Sequence, residues 1–501
     1  MAEGAGRRWP TGRRMACLGA LALAAGGFVL LATHDGVSLG GDDSVYSGTA
    51  RSVAAGHGLD VPIHYYPLGN VSIGTPPAGS SAPRPTPLVV YAPLEPVMLA
   101  VGGQHPVGTA RVEDAVFLIL TVLLAGLLVL SVTGEIWLAA GAQLVLGLVL
   151  APAVASDGTE ASALFFAMVG IAAVLRYRER SRVPWLALGS VAFGLALVTR
   201  FAAAGLVIWG VLALRKRPRA ALALFVASSL PVIGWLVYER VSGRSTGHEI
   251  GFHVVKTTIR SGLHTIAFWV LPTNISTAVA VLGTVVVAGV VILVLRRGVG
   301  TVPGVLVLYA VVQIVVLEVA ITFFDAGVNL EPREFIPIFL AVVLALACGV
   351  ARTRMVMAVT AVLVVGCALR FGVDTATTPP GGYTTPMWQK SAILADVEAL
   401  PRSAVIYSDA PDWIYLLAGR ATSSIPERVD FSTLKENRRF GAQIDEIRRT
   451  LSRREGYVVY IRTLGRESFL PDEATLRRLL GLHLVSNSQY GAIYTVNGGR
   501  T

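Results

Sequence analysis

The fold is organised around one short polar stretch, Gly40-Gly41-Asp42-Asp43-Ser44-Val45-Tyr46, which directly follows the first hydrophobic segment. The spacing after it predicts a short helix, because side chains four residues apart, from Val45 to Val53, fall on one face. Asp42 or Asp43 can N-cap that helix, since a carboxylate accepts the free backbone N–H groups of a first turn. Taken alone, a helix cap explains this pair better than a catalytic site does.

The composition is that of a polytopic membrane protein. Of the 501 residues, 53% are hydrophobic and only 15% are charged. Eleven spans are predicted, at about residues 15–33, 113–133, 136–153, 161–176, 185–199, 201–214, 219–238, 276–295, 302–323, 335–350 and 355–370. The arginine-rich start fits either a retained first span or a cleaved signal peptide, and we favour the retained span.

Basic residues give the predicted orientation. Arginine-rich clusters occupy residues 176–182, 215–219, 296–297 and 352–354. With eleven spans and a cytoplasmic N-terminus, all four clusters fall on the cytoplasmic side, where Lys and Arg are normally in excess. The odd number of spans then places residues 372–501 outside. The formal net charge of +10 follows from these loops, so it does not indicate a nucleic-acid partner.

The sequence therefore predicts two parts. Residues 1–371 form the transmembrane domain, with a long first outer loop at residues 34–110. Residues 372–501 carry 16 Lys and Arg against 14 Asp and Glu, and they contain no span. Their pattern predicts a small extracytoplasmic α/β domain, with strands near residues 403–408, 457–461 and 492–496 and helices near 414–418 and 474–480. The three cysteines all lie in apolar segments and indicate neither disulfides nor a metal site.

Charged residues collect in the loops that are predicted to lie outside. The first loop holds Asp42 and Asp43, and a short second loop reads Ser156-Asp157-Gly158-Thr159-Glu160. Near the end of the first loop, residues 86–100 are too broken by proline to span, and Glu95 is expected to reach the membrane interface. Loops opposite the positive side normally carry few charges, so their density here indicates a functional surface.

In order along the chain, these motifs resemble those of the GT-C class of membrane glycosyltransferases, which includes the aminoarabinose transferases and the protein O-mannosyltransferases. In that class an Asp followed by Asp or Glu opens the first outer loop, as Asp42 and Asp43 do here. Four later segments also resemble the class: Tyr91-Ala92-Pro93-Leu94, with Ala92 in place of a proline, the acidic loop 156–160, Leu197-Val198-Thr199-Arg200, and Arg333-Glu334-Phe335-Ile336-Pro337. The tail resembles the outer domain of bacterial members.

The resemblance implies an enzyme of the bacterial plasma membrane that works on its outer face. It would move a hexosyl or pentosyl group from a polyprenyl-phosphate donor to a lipid, glycan or protein acceptor of the cell envelope. Asp42 would be the catalytic base, with Asp43 as the close alternative. Arg333, together with Arg200, would bind the leaving phosphate.

The second acidic loop has an expected role of its own. By the same resemblance, Asp157 or Glu160 would orient the acceptor or help to hold a divalent metal, Mg²⁺ or Mn²⁺. Judged without the resemblance, Asp157 is better explained as part of a turn with Gly158.

Two other classes stay open at this point. A transporter or flippase would carry ionisable residues inside its spans. In this chain, only Gln313 and Glu318 look intramembrane. A non-catalytic assembly partner with the GT-C fold is compatible with the same motifs, because a fold does not determine a function.

Overall fold

The computed structural model describes residues 12–34, 36–37, 41–61, 63–64, 86–87, 91–155, 158–241, 251–252, 265, 285, 288–289, 292, 300–324, 332–349, 354–377, 382–430, 433–462 and 469–496. Ten of the eleven predicted spans coincide with helices in these ranges. The predicted eighth span, at 276–295, lies mostly outside the described residues.

The first twelve helices belong to the membrane part and its first outer loop. They are α1 (Gly12–Ala32), α2 (Gly41–Ala54), α3 (Leu94–Leu99), α4 (Pro106–Thr133), α5 (Ile136–Val154), α6 (Glu160–Arg180), α7 (Val183–Thr199), α8 (Ala204–Ala213), α9 (Pro218–Val241), α10 (Val302–Phe323), α11 (Pro332–Gly349) and α12 (Arg354–Thr377). Seven of the described helices are long and apolar enough to cross a membrane: α1, α4, α5, α6, α9, α10 and α12. The polytopic helical fold predicted from the sequence is confirmed.

One continuous apolar core joins these helices. Fully buried side chains from successive helices, such as Leu118, Leu146 and Ile171, meet in it. Small residues let some helices approach closely: a β-carbon on Gly170 of α6 would clash with the ring of Phe193 on α7. Complementary side-chain shapes therefore hold the helices together, and this packing fixes the relative positions of the loops at the ends of the bundle.

The basic loops meet at one end of this bundle. Arg217 donates to the carbonyl oxygens of Tyr177 (2.9 Å) and Arg178 (3.2 Å). Arg178 in turn donates to the carbonyl oxygen of Gly300 (2.9 Å). Three loops that the sequence assigns to the same side of the membrane are thus in contact. Their position on the cytoplasmic side stays a prediction.

The tail folds as an α/β unit, as predicted. Its helices are α13 (Pro386–Gln389), α14 (Ala392–Ala399), α15 (Pro411–Ala418), α16 (Phe440–Arg453) and α17 (Glu473–Leu480). The strands of the chain are β1 (Asp60–Val61), β2 (Ile63–His64), β3 (Thr86–Pro87), β4 (Val405–Ser408), β5 (Thr422–Ser424), β6 (Gly456–Ile461), β7 (His483–Asn487) and β8 (Gly491–Thr495). The predicted strands correspond to β4, β6 and β8.

A six-stranded sheet forms the centre of the tail, in the order β2-β5-β4-β6-β8-β7. The first four strands are parallel, while β8 and β7 run antiparallel to their neighbours. Strand β2 comes from the first outer loop, with Ile63 paired to Thr422 and His64 to Ser423. Val37 of the same loop also packs in the core around Trp388 and Trp413. The tail and the first loop therefore build one structure.

Candidate functional site

Helix α2 presents the two aspartates of the opening stretch. It begins at Gly41, so Asp42 and Asp43 both lie inside its first turn and neither is the residue before the helix. Negative charge is favourable there, because the free N–H groups of a helix start carry partial positive charge. The helix ends at Ala54, and Gly56 and Gly58 follow it with left-handed φ angles of 79° and 78°.

Asp42 lies at the surface of the site and is held at both oxygens. The hydroxyl of Tyr91 donates to its Oδ1 at 3.1 Å. Nη1 of Arg333 lies 3.5 Å from its Oδ2. The Asp42 side chain is still 49% exposed, so its carboxylate is both oriented and accessible to a substrate.

Asp43 has different surroundings, as expected for adjacent positions on a helix. Its side chain is only 3% exposed. Oδ1 of Asp43 accepts a hydrogen bond from the backbone N–H of Gly158 at 3.0 Å. Asp43 therefore ties α2 to the second acidic loop, in which Ser156 and the candidate Asp157 lie outside the described residues.

The two candidate arginines are joined by an acidic residue. Oε1 of Glu334 lies 2.8 Å from Nε of Arg333 and 3.5 Å from Nη2 of Arg200. Arg200 also forms an ion pair with Glu160 and donates to Oγ1 of Thr159 at 3.2 Å. The structure thus brings Arg200, Arg333 and Glu160 together beside Asp42.

Glu334 and Tyr91 complete this cluster, although neither was a candidate from the sequence. Glu334 follows Arg333 in one quoted motif, and Tyr91 begins the quoted motif near the end of the first loop. The motifs could have pointed to both residues, but their contacts depend on packing that no local pattern shows. Tyr91 is supported from behind by Tyr46, whose ring meets it edge-on at 5.3 Å. Burial, and after it the charge of Asp42, raises the pKa of Tyr46, which stays a neutral support.

An apolar pocket opens beneath the arginines. The cavity volume open to a water-sized sphere is about 30 Å³, and Glu160, Arg200, Arg333 and Glu334 form its polar side. The remaining wall is mostly apolar and includes Leu164, Leu206, Leu317, Ile336 and Pro337. A cavity of this volume has room for about two water molecules. The pocket is therefore a narrow cleft that is charged at one end and apolar along its wall.

The position of Glu95 differs from the one predicted. The sequence predicted that it reaches the membrane interface, but its side chain is fully buried. Oε2 accepts a hydrogen bond from Ser162 at 2.7 Å, while Oε1 accepts none from the described residues. Burial and the nearby charge of Glu113 raise the pKa of Glu95 well above its usual range, against the effect of the Ser162 hydrogen bond. The interior position follows from the packing of α3 on α2, which a local reading of the prolines does not reveal.

A divalent metal at this site would need ligands from the same group of residues. Among the described residues, no three His, Cys, Asp or Glu side chains are arranged to hold a metal ion. The oxygens Oδ1 of Asp43 and Oε1 of Glu95 both lie 3.9 Å from the position of a β-carbon on Gly158. Carboxylate oxygens are suitable ligands for Mg²⁺ and Mn²⁺, and these two carboxyl groups both flank Gly158, the residue after Asp157. The metal itself stays a prediction.

No protein-family model matches the chain, and no curated protein matches it. Among solved structures, the chain is similar to the archaeal oligosaccharyltransferase AglB from Archaeoglobus fulgidus, in complex with an inhibitory peptide and a dolichol-phosphate. The TM-score is 0.49 and the sequence identity is 11%, over 90% of this chain and 69% of that chain.

Proposed function

We propose that this protein is a membrane glycosyltransferase that moves a sugar from a polyprenyl-phosphate donor to a hydroxyl group of a cell-envelope acceptor, on the outer face of a bacterial plasma membrane. One observation carries the proposal: Asp42 and Arg333 stand 3.5 Å apart beside an apolar pocket. A proton acceptor, a cation that can bind phosphate and an apolar cleft are thus combined in one place.

The donor would be bound by the arginine side of the site. A guanidinium group offers two parallel N–H donors to a phosphate, and such charge-assisted hydrogen bonds are stronger than neutral ones. Arg333 is the first candidate because it lies between Asp42 and Glu334. Arg200 lines the same pocket. The apolar wall would hold the first units of the prenyl chain while the phosphate stays at the arginines.

Asp42 would act as the general base. The acceptor hydroxyl gives its proton to Asp42 as its oxygen bonds to the anomeric carbon of the sugar. The bond from that carbon to the phosphate oxygen breaks, and the electron pair leaves with the polyprenyl phosphate. The guanidinium groups then stabilise the negative charge that develops on the leaving phosphate. The Tyr91 hydrogen bond supports this role by fixing the orientation of the carboxylate.

The second acidic loop would serve the acceptor side. Glu160 contacts Arg200, which supports a role in holding that arginine. Asp157 remains the candidate that orients the acceptor. Asp157 or Asp43 would help to hold a divalent metal. A bound metal would supply positive charge near the reacting groups.

The test is sugar transfer by the purified protein in lipid discs, with a panel of radiolabelled polyprenyl-phosphate sugars. Asp42→Asn keeps the shape of the side chain and removes the base, so turnover should fall on the order of a hundred- to ten-thousand-fold. Asp43→Asn should keep more activity, and Asp445→Asn, at an exposed position of the tail, should keep all of it. Normal turnover in both Asp42→Asn and Asp43→Asn would mean that the base lies elsewhere.

Mass spectrometry of envelope glycans from a deletion strain would identify the sugar and the acceptor. An unchanged glycan profile, combined with no transfer from any donor, would favour the non-catalytic assembly partner instead.

A further inference from the structure

Helix α15 of the tail lies along helix α2, and two hydrogen bonds connect them. Oγ of Ser44 donates to Oδ2 of Asp412 at 2.7 Å. Nη1 of Arg51 donates to the backbone carbonyl oxygen of Leu416 at 3.0 Å. Ser44 directly follows Asp43, so one of these bonds is made beside the proposed catalytic residues.

The spacing of the two bonds determines what they hold. Ser44 and Arg51 are seven residues apart, which is close to two helical turns, so they lie on the same face of α2. Asp412 and Leu416 are four residues apart and likewise share a face of α15. Two points of attachment about two turns apart on one face fix both the rotation of α2 about its axis and its tilt against α15.

Asp412 is a buried group with several donors directed at it. Its side chain is only 7% exposed, and Ser44 is fully buried. Besides Ser44, the hydroxyl of Tyr383 and backbone N–H groups at the start of α15 interact with its carboxylate. Burial raises the pKa of Asp412, and the hydrogen bonds from Ser44 and Tyr383 oppose that rise. A buried carboxyl group is costly unless it is hydrogen-bonded, so this pairing is specific to one arrangement of the two helices.

We infer that Asp412 is a positioning residue for sugar transfer: it holds α2 at the rotation in which Asp42 faces Arg333 and Asp43 faces Gly158. This inference rests on the proposed role of Asp42. It gives the tail a part in the reaction that does not depend on contact with either substrate.

The experiment compares Ser44→Ala, Asp412→Ala and Asp409→Asn in the full-length protein. Asp409 is a buried acid three residues from Asp412 whose carboxylate accepts from the backbone N–H of Ile461, so it controls for changes to the tail alone. A displacement of about 1 Å in a reacting group can cost on the order of a hundredfold in rate. We expect kcat to fall about tenfold or more in Ser44→Ala and Asp412→Ala, with the KM for the lipid donor unchanged. Asp409→Asn should keep its kcat.

Hydrogen–deuterium exchange supplies the readout that does not depend on activity. Amide exchange in residues 41–54 should be faster in Ser44→Ala and Asp412→Ala than in the wild-type protein and in Asp409→Asn. Unchanged exchange in those residues would overturn the inference, and so would equal losses of kcat and donor affinity, which indicate general unfolding. If exchange changes as expected but Asp42→Asn turns over normally, the attachment is real and the proposed base is wrong.

Discussion

Replacement of Asp42 by Asn should tighten the binding of a lipid phosphate while it abolishes sugar transfer. In the structure, Nη1 of Arg333 lies 3.5 Å from Oδ2 of Asp42. A phosphate that binds Arg333 must therefore compete with this carboxylate. Asn has the same shape and no charge, so it removes the competitor and leaves the arginine in place.

The magnitude follows from the exposure of the pair. Two unit charges about 4 Å apart attract each other by about 4 kcal/mol near a protein surface at an effective dielectric constant of 20. Arg333 and Asp42 are 29% and 49% exposed, and exposed pairs typically contribute only about 0.2–1 kcal/mol once solvent and side-chain entropy are counted. We therefore use about 1 kcal/mol, which corresponds to roughly fivefold in affinity.

The assay is the binding of undecaprenyl monophosphate, without a sugar, to the purified protein in lipid discs. Asp42→Asn should bind it about fivefold more tightly than the wild-type protein does. Asp445→Asn removes one negative charge from an exposed pair with Arg448 in the tail and should leave the affinity unchanged. Tyr91→Phe removes the hydrogen bond to Asp42 and should lower turnover without an effect on phosphate affinity. Equal or weaker binding by Asp42→Asn would refute the assignment of Arg333 as the phosphate ligand.

Four further predictions follow from individual residues. Arg333→Ala should raise the KM for the donor, and Arg333→Lys should restore only part of the affinity because Lys lacks the planar fork; an unchanged KM in the Ala variant contradicts the role. An alkaline phosphatase fused after residue 372 should be active and one fused near Arg217 inactive, and the reverse pattern would invert the predicted topology. Burial raises the pKa of Asp409 to about 7. Between about pH 4 and 7 the folded protein therefore keeps a proton that the unfolded chain has lost, so the free energy of unfolding falls as the pH rises through that window. Asp409→Asn should remove this fall and raise the melting temperature at pH 8 by on the order of a few degrees. The pKa of Glu95 is also raised, so Glu95→Gln should change the free energy of unfolding by less than about 1 kcal/mol, whereas Glu95→Ala should cost about 2–4 kcal/mol; equal losses in denaturation curves would show that the charge matters.

The spans were predictable because each depends on its own local composition. A run of apolar residues near the thickness of a bilayer forms a helix whatever its neighbours are. The same holds for strands β4 and β6, whose runs of Val, Ile and Tyr are strong local signals. Strand β2 has two residues and gains its place only by pairing with Thr422 and Ser423, so no local pattern could identify it.

The candidate site was predictable in part for the same reason. Asp42, Arg200 and Arg333 could be found because each stands in a motif at the end of a predicted span. The part of Glu334 as the shared partner of both arginines depends on the packing of α6, α7 and α11. The interior position of Glu95 likewise depends on Ser162 of another helix. Contacts between distant segments carry this information, and no alignment of local patterns contains it.

The edge strand β2 also determines the order in which the first outer loop and the tail can assemble during synthesis. Ser44 and Asp412 are separated by 368 positions along the chain, and Ile63 pairs with Thr422. During synthesis the first outer loop would emerge long before the tail that completes its sheet. The rotation of α2 can therefore be fixed only after the last quarter of the protein has been synthesised. A chain that stalls or is cut before residue 405 would keep the aspartates and the arginines but lack their alignment, so we expect such incomplete copies to be inactive.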